Sequence, residues 1–95
     1  MELSQLRALI AIAEVGNFGK AGLRLHLSPP AVFDQVRRLE SELGEKVYER
    51  AGRKLALTDA GRLIIDYARR ILQEHDSALI ALKELGGLER GSLRL

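Results

Sequence analysis

Cysteine and tryptophan are absent from the 95 residues, and only two phenylalanines and two tyrosines are present. Without cysteine there is no disulfide frame and no thiolate chemistry, which fits a reducing cytosol. Long apolar runs are missing too. The stretch Ala8 to Ala13 is too short to span a bilayer, and Glu2 stands where a signal peptide would carry a basic segment, so a cytoplasmic protein with no membrane partner is expected. There is no nucleophile–base pairing, no glycine-rich phosphate loop and no metal-spaced cluster, and His26 and His75 lie far apart. An enzyme is therefore not expected, nor a catalytic residue, a metal site or a cofactor within these residues. An excess of one charge is nearly absent as well: the net charge is +2 with a pI near 9.3, which permits an anionic partner without demanding one.

What is present is core material for one small domain, with 46% hydrophobic and 29% charged residues. The chain is organised around Ser28 to Gly44, which reads as one complete helix. Ser28 is an N-cap, Pro29 fits the first helical position where a missing N–H costs nothing, and Gly44 is the stop. Val32, Val36, Leu39 and Leu43 share one side and must pack inward. At about 100° per residue the opposite side is Pro30, Asp34, Arg37 and Ser41, flanked by Phe33 and Arg38, and it is free to meet a partner.

In chain order, Leu3 to Val15 carries a stripe of Leu3, Leu6, Leu9, Ile10 and Ala13 and ends at Gly16-Asn17, which makes it the first helix. Phe18 is an anchor candidate. Gly19 can cap a short second helix, Lys20 to Leu27, with Ala21, Leu25 and Leu27 inward, and Gly22 inside it points to a close helix approach. Two helices meeting at the break His26-Leu27-Ser28, the second longer and with a free first turn, form a helix-turn-helix pattern. A helix of this diameter fits the major groove of DNA, its N-terminal residues reaching base edges. Lys46 to Arg50 and Lys54 to Leu57, with Val47, Leu55 and Leu57 inward, read as a hairpin around Ala51-Gly52-Arg53. Its basic tip, Arg50, Arg53 and Lys54, suits phosphates or the neighbouring minor groove, and residues 44–57 form the most basic segment.

Thr58 caps a last helix expected over Asp59 to Leu85, with Gly86-Gly87 as its break and Leu88 to Leu95 resembling the start of a strand. Its seam, Ile64, Tyr67, Ile71, His75, Ala78, Leu82 and Leu85, recurs every three or four residues. A helix of about 27 residues reaches roughly 40 Å, farther than one small domain can cover. Leu79, Leu82 and Leu85 would then meet water, so a second copy of the helix is expected against them and the chain is expected to be a homodimer.

The chain resembles the N-terminal DNA-binding domain and linker helix of the LysR-type transcriptional regulators. The residues that carry the likeness are Leu3 with Leu6, Phe18 with Ala21, Leu25 to Ser28, Pro30-Ala31-Val32, Arg38-Leu39-Glu40, Leu43-Gly44, Arg50, Leu57-Thr58, Ala60-Gly61 and Arg90-Gly91-Ser92-Leu93. The resemblance implies a mainly α chain: a winged helix-turn-helix over 1–57 (helix-turn-helix about 18–43, wing about 46–57), a dimerisation helix over 58–86, and at 87–95 the start of a hinge. It further implies binding to double-stranded promoter DNA as a dimer through antiparallel linker helices. A C-terminal domain sensing a small-molecule co-inducer, and a tetrameric full-length protein, are implied as well. The rival readings are a non-catalytic helical assembly module and a winged-helix regulator of another family, such as the molybdate-responsive type.

Relative to the family pattern, Pro29 replaces a glutamine, Phe33 a small hydroxyl residue, Asp34 a basic or polar residue and Gly19 a hydroxyl residue. Phe33 offers apolar contact, most naturally to a thymine methyl, or packs against the wing. Asp34 repels phosphate, accepts from a cytosine amino group, or favours the positive end of its helix. Arg37 with Glu40 and Arg38 with Glu42 are spaced as ion pairs within the helix. Arg50 has a carboxylate partner as its alternative, and Arg53 a solvated tip. His75 reads as a half-buried seam residue and His26 as a turn residue.

Overall fold

The computed structural model describes the backbone of residues 1–94 and the side chains of residues 1–87. Six elements follow in order: α1 (Leu3–Val15), α2 (Phe18–Leu25), α3 (Pro29–Leu43), β1 (Tyr48–Ala51), β2 (Lys54–Leu57) and α4 (Asp59–Arg94). The class is as expected, a three-helix body, a two-stranded antiparallel wing and a long final helix.

α1 is the central helix, packed against α2, α3 and α4. It is buried on more than the one stripe its spacing displays: Ala8, Ala11 and Ile12 join Leu6 and Leu9 inside, while Leu3, Ile10 and Ala13 are only partly covered. Contact on several sides, rather than amphipathicity, sets its composition. Gly16 closes it in the left-handed region at φ +81°, its N–H donating to the Ile12 carbonyl at 2.9 Å. The Gly16 carbonyl in turn accepts from the Leu55 N–H at 3.0 Å, fixing the wing to the end of α1.

α2 starts two residues earlier than the sequence reading places it. Asn17 is the cap, accepting from the Lys20 N–H at 2.7 Å, and not Gly19, which has no side-chain oxygen to offer. The helix ends at Leu25 because His26 adopts a left-handed conformation, and that turns Leu27 outward to 41% exposure instead of inward. Gly22 lies where the turn crosses it: a Cβ there would stand 2.4 Å from the Leu27 carbonyl oxygen.

In α3, Val32, Val36 and Leu39 are fully buried and Leu43 partly so, in one core with Leu6, Leu9 and Ile12 of α1. The two helix pairs within α3 anticipated from spacing do not form. Arg38 Nε instead meets Asp34 at 2.9 Å, Glu42 pairs with the Met1 amino group, and Glu40 turns toward the wing. Its Oε2 accepts from the Val47 N–H at 2.9 Å, with the Lys46 ammonium 3.8 Å from Oε1. Glu40→Ala strands that part-buried N–H and is expected to cost about 1–3 kcal/mol, whereas Glu40→Gln retains an acceptor and should cost under half as much. Urea midpoints of the two variants at equal protein concentration check the order.

α4 departs most from expectation. It passes through Gly86 and Gly87 and continues to Arg94, so helix replaces the break expected at 86–87 and the strand start expected over 88–94, while residue 95 and the side chains from residue 88 onward lie outside the described residues. Neither glycine takes the positive φ that ends α1 and α3, and two glycines cost a helix only about 1 kcal/mol each. The side of α4 facing the body is also not the expected seam. Gly61, Ile65 and Ala68 are buried and Leu72 partly so, one rail over from Ile64, Tyr67 and Ile71.

Candidate nucleic-acid interface

The first turn of α3 is held ready by its own cap. Ser28 accepts from the Ala31 N–H at 3.2 Å, and Pro29 and Pro30 occupy positions whose N–H groups would have no partner. Ser28, Pro29, Pro30, Phe33, Arg37 and Arg38 are all exposed, and Asp34 is half-exposed. The face opposite Val32, Val36 and Leu39 is therefore open, as the spacing predicts.

Asp34 has a partner on its own helix. Its ion pair with Arg38 engages one edge of the guanidinium and leaves the terminal nitrogens free to donate outward. Arg37 makes no ion pair among the described residues. Phe33 keeps 45% of its surface while its ring lies edge-on to Phe18, centroids 5.5 Å apart at 71°. Phe18 meets Tyr48 in the same manner, at 5.5 Å and 79°. A chain of three rings thus joins α3, the start of α2 and the wing. Burial first, then the Glu40 carboxylate, raises the Tyr48 hydroxyl above its usual value against the opposing pull of Arg50, so Tyr48 remains a neutral phenol.

The wing turns through Gly52 and Arg53, with Ala51 paired to Lys54 and Gly52 at φ +66°, a positive angle at the first central position of a two-residue turn. Arg50, Arg53 and Lys54 are exposed, and none makes an ion pair among the described residues. They do not share one face. Arg50 lies opposite Leu55 on the side turned toward the core, Lys54 points to the other side, and Arg53 stands in the turn itself. The carboxylate partner offered as an alternative for Arg50 is not found among the described residues.

Sequence reasoning passed over Lys20, exposed in the first turn of α2, where a preceding helix crosses the DNA backbone in such motifs. A lone lysine beside a glycine carries no signal until the helix start is known. It also passed over Glu14, which holds Arg24 of α2 and Arg69 of α4 (3.4 Å) at once and so ties three helices together.

On α4, Ile64 and His75 are half-buried, His75 beside Asp76 at 3.3 Å, whereas Tyr67, Ile71, Ala78, Leu79, Leu82 and Leu85 are exposed. Every side chain from Asp76 to Leu85 faces solvent. The molecule extends 62 Å along α4 and 25 by 19 Å across it. No helix among the described residues is long and apolar enough to cross a membrane.

Three comparisons place this geometry among known proteins. Residues 3–62 match the model of the bacterial regulatory helix-turn-helix protein, lysR family. An uncharacterized HTH-type transcriptional regulator of Azotobacter vinelandii is 43% identical over all 95 residues, which span 66% of its length. The RuBisCO operon transcriptional regulator of Allochromatium vinosum is 43% identical over the same residues, which span 32% of its length. Among solved structures, the complex of the CbnR DNA-binding domain with DNA superposes with a TM-score of 0.77 at 42% identity, covering 82% of this chain and 90% of that one. The complex of the BenM DNA-binding domain with benA site 1 DNA gives 0.85 at 32% identity, covering 90% and 97%. The winged helix-turn-helix of residues 3–57 and the long helix after it are thus those of a regulator and not of an enzyme, and the chain belongs to the LysR family of bacterial regulatory helix-turn-helix proteins.

Proposed function

We propose that this chain is the DNA-reading part of a LysR-type transcriptional regulator, which works in the cytoplasm and grips duplex promoter DNA as a homodimer. The observation that carries the reading is the exposed first turn of α3, capped by Ser28 and flanked by a wing whose Arg50, Arg53 and Lys54 are unpaired among the described residues. In this reading α3 enters the major groove and presents Ser28, Pro29, Pro30, Phe33, Asp34, Arg37 and Arg38. Asp34 acts there chiefly by holding Arg38. Arg53 and Lys54 take phosphates or the adjacent minor groove, and Lys20 a phosphate beside the helix. Ile64, Tyr67, Ile71, His75, Ala78, Leu79, Leu82 and Leu85 meet their counterparts in a second α4. For the whole protein, the family likeness supports a tetramer and a separate domain that senses a small-molecule co-inducer.

Anisotropy titration of a duplex over a salt series tests it. Each phosphate neutralised contributes a slope of about −0.9 in log affinity against log salt, so the double variant Arg53→Ala, Lys54→Ala, which removes two cations from each protomer of the dimer, should flatten the slope by about three to four where both residues meet phosphates. A flat titration with wild-type chain that still dimerises would leave the assembly-module reading in its place.

A further inference from the structure

The groove-facing side of α3 is short of polar atoms that are free to discriminate bases. Pro29 and Pro30 carry neither a backbone N–H nor a polar side chain. The Ser28 hydroxyl accepts the Ala31 N–H and has only its proton left to donate, and the Asp34 carboxylate is engaged by Arg38. Arg37, and Arg38 with its free terminal nitrogens, lie a full turn or more beyond Phe33. What remains at the leading end of the helix is the Phe33 ring, 45% exposed although the protein has only two phenylalanines.

That ring is not a loose surface side chain. Its edge-on contact with Phe18, and that of Phe18 with Tyr48, brace it from two other elements. Tyr48 is itself fixed as the first residue of β1, opposite Leu57. A braced aromatic meets a partner with little further loss of side-chain freedom, and through Phe18 this ring is linked to the wing. It can neither donate nor accept a hydrogen bond, so it cannot tell guanine from adenine by their acceptor patterns. The apolar group that base edges offer in the major groove is the C5 methyl of thymine.

We propose that Phe33 is a specificity-determining residue of this chain and that it reads thymine through its 5-methyl group. The inference rests on the DNA-binding reading above and narrows it: binding sites should carry an obligatory thymine in each half-site, and its methyl, not its hydrogen-bonding edge, should be what is recognised.

The test uses duplexes that the 95-residue chain selects from a random-sequence library. Each thymine is replaced in turn by deoxyuridine, which keeps base pairing and removes only the methyl. At one position per half-site, wild-type affinity should fall about fourfold, the effect of leaving one methyl-sized apolar surface uncovered, while uracil elsewhere stays within twofold. With Phe33→Ser, thymine and uracil duplexes should be bound equally. Should Phe33→Ser fail to fold by thermal melting, Phe33→Leu, which keeps apolar contact with Phe18 but is shorter, should reduce the ratio to below twofold. The proposal is overturned if no uracil position changes wild-type affinity by more than twofold. It is equally overturned if the thymine preference survives in the folded Phe33 variant. A chain that selects no duplex even at low salt refutes DNA binding itself, whereas one that selects duplexes and ignores the methyl refutes only the role of Phe33.

Discussion

Gly61→Ala should lower the stability of this chain by at least about 3 kcal/mol, and the melting temperature by at least about 12 °C. In an exposed helix the same change ordinarily gains up to about 1 kcal/mol, since alanine restricts the unfolded chain and favours the helix. The sign reverses here because a Cβ on Gly61 would lie 1.9 Å from the Val47 carbonyl oxygen and 2.9 Å from its carbon. Both atoms are backbone and cannot swing aside. The Thr58 N–H donates to that same carbonyl at 3.1 Å, the Thr58 hydroxyl donates to the Lys46 carbonyl at 2.6 Å and accepts from the Gly61 N–H at 3.0 Å. Residues 46–47 and 58–61 therefore form one hydrogen-bonded joint between wing and helix. Relieving the clash means lifting α4 off the body, which uncovers Ile65 and Ala68. Gly86→Ala is the matched control, in the same helix with nothing within 4 Å of the added methyl, and it should stabilise. Melting both variants at one protein concentration decides the matter, and a Gly61→Ala chain as stable as Gly86→Ala would mean that the approach at Val47 is not real.

The sequence displays its helix starts and stops wherever one residue type has one physical use. Ser28 before two prolines can be little other than a cap, and Gly44 after Leu43 takes the left-handed conformation that ends α3. Thr58 before Asp59 works in the same way. Ambiguity enters where two candidates stand side by side. Asn17 and Gly19 are both allowed caps, and the side-chain acceptor of Asn17 decides between them. Gly86-Gly87 has the composition of a stop, but glycine permits a left-handed turn without requiring one, and the helix continues. The choice of rail on α4 is a similar case. Ile64, Ile65, Tyr67 and Ala68 supply two adjacent apolar rails, and periodicity does not say which one meets the body; Gly61 settles it, because only the rail that begins with a missing side chain can approach Val47 so closely. The exposed face of α3 was legible for the opposite reason: three buried residues at fixed spacing leave just one side over. Its internal ion pairing was not, since Arg37, Arg38, Asp34, Glu40 and Glu42 allow several pairings at helical spacing and tertiary contacts recruit Glu40 and Glu42 elsewhere.

Leu82→Asp should convert the dimer proposed above into monomers and cost it nearly all of its affinity for a two-half-site duplex. Leu82 keeps 65% of its surface, and with Leu79 and Leu85 it is exposed beyond the last packing of the helix against the body near Leu72, while Tyr67 and Ile71 are exposed on the same helix beside that contact. Burying a leucine against a symmetry mate contributes about 2 kcal/mol, and a two-fold axis counts the residue twice. Losing both copies therefore weakens association by about three orders of magnitude, before the cost of enclosing two carboxylates is added. The effect on DNA follows from geometry. A dimer that has engaged one half-site presents its second α3 at a high effective concentration, an advantage of about 10²–10⁴ that a monomer lacks. Sedimentation at micromolar chain should give monomer for Leu82→Asp. Its affinity for paired half-sites should drop at least 100-fold, while its affinity for a single half-site should equal that of the wild type, because α3 and the wing are untouched. An undiminished dimer would remove α4 as the joining surface. A monomer that loses the single half-site as well would show that the substitution acts through folding of the body and not through pairing.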